Sequence, residues 1–142
     1  MGENLRRIHR SLENITDRIE STILHASNVF NEIEQDVHAL ISLDPETLGT
    51  DECLEREQDS NLLIEELQEF RKETETIMGV YEIIVGQVRN QNHPTLLLRL
   101  ETDMKWKFTD LFSEVLDKEL LIDCYKIKLE FRQTMSNFPR GQ

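Results

Sequence analysis

Five residues in one short stretch have the types and spacing of a calcium loop. Asp44, Glu46, Gly49, Glu52 and Glu55 fall at positions 1, 3, 6, 9 and 12 of an EF-hand frame, in which oxygen ligands and a turning glycine surround a hard cation. Three residues break the frame. Leu48 stands at position 5, where an oxygen is needed, Asp51 replaces the apolar residue of position 8, and Pro45 constrains the first turn. An ordinary acidic turn between helices is the main reading, with a calcium-responsive loop as a minor alternative. His9, His25, His38 and His93 share no i, i+4 spacing and no HExxH frame, so they are expected on helix surfaces or seam edges rather than around a metal. Cys53 and Cys124 lie in different segments without a CxxC spacing, the pattern of reduced thiols in an intracellular protein. There is no glycine-rich phosphate loop, nucleophile elbow or separable carboxylate pair. The expectation is no enzyme, no cofactor and no metal.

The elements that carry these residues follow from composition. Three prolines and five glycines in 142 residues leave long spans open to helix, and 31% charged with 38% apolar residues suits a bundle or coiled coil better than a sandwich. The net charge of −12 disfavours nucleic acid. The excess is local: residues 43–92 hold 13 acidic and 4 basic groups, whereas 93–142 hold 8 of each. A solvated helix face explains such a run. No stretch approaches the ~18 apolar residues of a membrane span, and no charged n-region precedes an apolar h-region. A cytoplasmic protein is expected, with the nucleus as the alternative.

Hydrophobic periodicity gives an all-α fold of three long amphipathic helices, forming a helical hairpin or bundle or a coiled coil across residues 1–142. Helix 1 is expected over about 3–41, an acidic turn over 42–50, helix 2 over about 51–91 and helix 3 over about 94–136. In helix 1, Leu5, Ile8, Leu12, Ile15, Ile19, Thr22, Ala26, Val29, Ile33, Asp36 and Leu40 alternate three and four apart, as a heptad seam does. Ile23, Phe30 and Val37 form a flanking stripe. Helix 2 repeats the spacing through Leu63, Leu67, Phe70, Thr74, Ile77, Tyr81, Ile84 and Val88. Gly79 and Gly86 lie off its seam, each costing about 1 kcal/mol of helix propensity or allowing another backbone to approach. Pro94 suits the first turn of helix 3. That helix follows Leu97, Leu100, Met104, Phe108, Leu111, Val115, Ile122, Tyr125 and Leu129, with Lys118 interrupting and one shift of phase between Met104 and Phe108. It is expected to fray near Pro139 and Gly141. Trp106, Phe108 and Phe112 spread over different sides of helix 3, as core or as an aromatic anchor for a partner.

Leu67, Glu69, Glu75, Ile77, Met78 and Tyr81, then Pro94, Leu96, Leu97, Leu98, Arg99 and Leu100, and finally "VLDKELLID" from Val115 to Asp123, resemble the SIKE family, the suppressor of IKK-epsilon and its FGF-receptor-oncogene-partner paralogue. The resemblance covers about residues 57–123. It implies a non-catalytic coiled-coil subunit associated with a striatin-type phosphatase and kinase assembly. A small helical subunit of another large complex, of the Mediator, kinetochore or tethering type, is the alternative. In either case protein partners are expected through helical packing, in a homo- or hetero-oligomer, without nucleic acid or membrane. The residues expected to form the partner-binding seam are Leu5, Ile8, Leu12, Ile15, Ile19, Val29 and Ile33 of helix 1 with Leu63, Leu67, Phe70, Ile77, Tyr81, Ile84 and Val88 of helix 2. Trp106, Phe108 and Phe112 join them from helix 3.

Overall fold

The computed structural model describes residues 2–137, all in helices and their connecting turns, with no strand among them. Helix α1 runs Gly2–Ile41 and α2 runs Thr50–Asn90; a 3-10 turn, Pro45–Thr47, lies between them. The third long helix is continuous but composite: α3, Pro94–Arg99, passes through a π turn, Leu100–Met104, into α4, Lys105–Ser136. Pro139 and Gly141 lie outside the described residues. The fold is the expected all-α arrangement of three long helices. Its residues divide into two compact units, one from 1–29 with 71–113 and one from 30–70 with 114–142.

In the first unit α2 runs antiparallel to both α1 and the third helix. The core joins Leu12, Ile19 and Ile23 of α1 to Tyr81, Ile84 and Val88 of α2 and to Leu96, Leu100, Met104 and Phe108. The last four are spaced four apart throughout. In a regular α-helix three such steps would turn the stripe about 120° away from the core. The wider i→i+5 spacing of the π turn absorbs the excess, and the Lys105 amide accordingly donates to the Leu100 carbonyl. The irregularity thus comes one turn earlier than the expected shift after Met104, and Leu96 is buried where Leu97 was expected, Leu97 being half-buried.

The link from α2 to α3 is a Schellman closure. Asn92 adopts a left-handed φ of 52°, its amide donates to the Arg89 carbonyl at 3.1 Å and the His93 amide to that of Val88 at 3.4 Å. Pro94 then opens α3, and His93 caps it, its Nδ1 accepting from the Leu96 amide at 3.3 Å. The remaining proton must sit on Nε2, which donates to Glu13 at 3.1 Å. The His9 ring lies 4.7 Å away and donates from Nε2 to the Gln91 carbonyl at 3.1 Å. Both histidines therefore hold the turn together.

The second unit buries Phe30, Ile33, Val37 and Leu40 of α1, Cys53, Leu63, Leu67 and Phe70 of α2, and Val115, Ile122, Tyr125 and Leu129 of α4. Phe30 and Phe70 meet at 5.7 Å between ring centres. Lys118, which interrupts the apolar seam in the sequence, fills its place with an ion pair to Glu34 at 3.3 Å and is only 15% exposed. The acidic stretch is a compact turn. Asp44 accepts from the Glu46 amide at 3.1 Å, Pro45 and Leu48 are buried, and α2 starts at Thr50, so Glu52 and Glu55 stand on a helix rather than in a twelve-residue loop. Tyr125 ties down the preceding backbone, donating to the Leu43 carbonyl at 2.6 Å. Burial pushes its phenol above the ordinary value.

The inward stripe of α1 corrects half of the expected seam. Leu12, Ile19, Ala26, Ile33 and Leu40 are buried, but their companions are Thr16, Ile23, Phe30 and Val37. Ile15, Thr22 and Asp36 are exposed and Val29 is half-buried. Both choices alternate three and four, so spacing could not separate them. The presence of Asp36 on one stripe and Phe30 on the other does. Thr16, the polar member of the true stripe, donates to the Leu12 carbonyl at 2.7 Å, which removes the cost of burying its hydroxyl.

Candidate partner-binding surface

The first unit presents a groove between α1 and α2, lined by Ile15, Arg18, Ile19 and Thr22 on one side and Ile77, Val80 and Ile84 on the other, with a volume of about 340 Å³. Its floor is fixed by packing, since Ile19 and Ile84 belong to the core. Its walls are open: Ile15 is 40% and Val80 48% exposed. The wall arises because α1 is apolar over a wider arc than its inward stripe needs. Residues one position away from the stripe, Ile8, Ile15 and Thr22, turn toward the flank instead of the centre.

Away from the groove, the first unit's helices are locked to the third helix by polar contacts. Arg99 Nε donates to Glu20 at 2.8 Å and its Nη2 donates both to Asp17, at 2.8 Å, and to the second Glu20 oxygen. This fork holds the Glu20 carboxyl below the usual carboxylate value, chiefly through the hydrogen bond and against the opposing effect of burial, and shifts Arg99 upward from its ordinary value. Tyr81 donates to the Leu100 carbonyl at 2.8 Å and its ring lies 5.2 Å from that of Phe108. Burial, with a smaller push from the Glu101 carboxylate, raises its phenol above the ordinary value. Arg89 pairs with Glu101 across the same two helices.

The expected seam residues thus separate by environment. Leu12, Ile19, Tyr81, Ile84, Val88 and Phe108 form the first core, with Ile77 and Phe112 packed against it half-buried. Ile33, Leu63, Leu67 and Phe70 are buried in the second unit. Leu5, Ile8, Ile15 and Trp106 face outward, Trp106 at 68%. The groove unites Ile15, Ile19, Ile77 and Ile84 of the expected set and adds Arg18 and Val80, which flank the α1 and α2 seams and carry no periodic signal of their own. Ile83 and Leu98, at 66% and 64% exposed, are further apolar positions on this unit. Among the described residues no group of three or more His, Cys, Asp or Glu is placed to hold a metal ion, and no helix is long and apolar enough to cross a membrane. Comparison with family models, curated proteins and solved structures finds no match to the chain.

Proposed function

We propose that the chain is a non-catalytic helical adaptor that binds another protein's amphipathic helix in the α1–α2 groove, as a cytoplasmic subunit of a larger complex. The observation that carries this reading is the groove itself, with open apolar walls, Ile15 and Val80, over a floor already fixed by the core. A preformed floor lowers the cost of ordering on binding, and apolar anchors at i, i+3 or i+4 and i+7 of a partner helix match the spacing of the walls. Arg18 at the rim favours a partner with a carboxylate beside those anchors.

The resemblance to the SIKE family over residues 57–123 supports a striatin-type phosphatase and kinase assembly as the complex. Affinity purification of the tagged chain from cells tests both levels. Striatin-type components should co-purify in stoichiometric amount. Co-purification of a different helical complex would reassign the assembly, whereas a folded chain recovered without any stoichiometric protein would overturn the adaptor function.

A further inference from the structure

Helix α4 carries a second apolar face that its core does not use. Leu116, Leu120, Ile127, Phe131 and Met135 are 52%, 62%, 64%, 65% and 45% exposed, and Cys124 between them is also exposed. At about 100° per residue these six positions fall within an arc of about 100°. The buried residues Val115, Ile122, Tyr125 and Leu129 occupy the opposite side. The outer stripe has its own period: Leu116, Leu120 and Cys124 recur eleven residues later as Ile127, Phe131 and Met135. An eleven-residue repeat keeps a face aligned along a nearly straight helix.

We infer that this outer face of α4 pairs with the same face of a second copy of the chain, the two helices running antiparallel. Three observations choose that occupant. The spacing of the stripe, 4-4-3-4-4, is the same in both directions, so an antiparallel copy places Leu116 against Met135, Leu120 against Phe131 and Cys124 against Ile127, as a two-fold contact of one patch with itself requires. Charge is polarised along the helix: residues 114–123 hold Glu114, Asp117, Glu119 and Asp123 with one lysine, while 124–136 hold Lys126, Lys128 and Arg132 with one glutamate. Antiparallel pairing sets the acidic half against the basic half, whereas parallel pairing sets like against like. The six side chains expose on the order of 500 Å² on one patch, near the upper end of what a monomer leaves open. The corresponding dimer lies below standard interface size and forms reversibly.

The surface lies in the second unit and is independent of the groove, so either assignment can fail alone. Light scattering on the full chain should show the apparent mass rising with concentration from 16.8 kDa toward twice that value. Leu120→Glu and Ile127→Glu, both at exposed positions, should keep the wild-type helicity and melting curve and remain at the monomer mass. Direction is read by cross-linking in a Cys124→Ser background, where Cys53 is buried. A Leu116→Cys chain should cross-link through a short bis-maleimide to a Met135→Cys chain and not to itself. A chain that stays monomeric at near-millimolar concentration, a dimer untouched by both glutamates, or Leu116→Cys chains that cross-link to themselves would overturn the inference. The first of these outcomes would leave the stripe to a different protein's helix.

Discussion

Two side chains add polar ties to the apolar attachment of the third helix in the first unit. Tyr81 reaches across from α2 to the Leu100 carbonyl at 2.8 Å, the same oxygen that receives the Lys105 amide across the π turn. Removing only the hydroxyl, Tyr81→Phe, should cost about 1 kcal/mol in urea unfolding with the helical content unchanged. A variant as stable as the parent would show that the π turn is held by its apolar residues alone. Arg99 works from the other side, through Asp17 and Glu20 of α1. Because the folded Glu20 carboxyl titrates below its ordinary value of 4.5, its contribution is fully present above that value and lost as pH falls through the lower folded one. Glu20→Gln should therefore be less stable than wild type at neutral pH, and the two should converge in acid. An equal difference at every pH would assign the loss to packing instead of charge.

At the scale of elements, how much the sequence revealed depended on how many stripes a helix carries. In α2 the expected positions from Leu63 to Val88 are buried apart from the half-buried Ile77, because no second stripe competes. In α1 two stripes share the three-and-four rhythm, and only Asp36 and Thr22 mark the outer one. In α4 the inner heptad through Val115, Ile122 and Leu129 was readable, but the outer eleven-residue repeat was hidden beneath it. The π turn had a signal, the run of fours from Leu96 to Phe108. Pairing of Lys118 with Glu34 had none, since nothing local joins residues so far apart. The helix interiors hold two weak points. A Cβ at Gly79 or Gly86 would meet nothing within 4 Å, so close approach of a backbone within the chain does not account for them. Gly79→Ala and Gly86→Ala should each stabilise thermal unfolding by about 0.5–1 kcal/mol. Destabilisation by either would indicate atoms that the isolated chain does not supply. At Asn92, φ of 52° is tolerable for Asn and costly for a branched side chain. Asn92→Val should lose about 1–2 kcal/mol and Asn92→Gly should lose nothing.

On the scale of the whole molecule, a chain with net charge −12 leaves many large apolar side chains open, Trp106, Ile83, Leu98, Leu120 and Phe131 among them. Scattered singly these would be unremarkable, but the groove in one unit and the stripe on α4 in the other are organised. The helices and most of the core were legible in the sequence, because burial imposes a period on the residues that enter it. The groove and the α4 stripe were less legible. Ile15 stood on the heptad seam expected to bind a partner, together with residues that are in fact buried, whereas Val80 and the α4 stripe were passed over. In the proposed function an outward apolar groove, not internal chemistry, gives the chain its role. The most direct measurement is quantitative affinity purification of wild type beside the double variant Ile15→Glu/Val80→Glu, with helicity and melting checked on both. The folded variant should lose the stoichiometric partner of the wild type by at least an order of magnitude. A folded double variant that recovers the same partner in the same amount would contradict it.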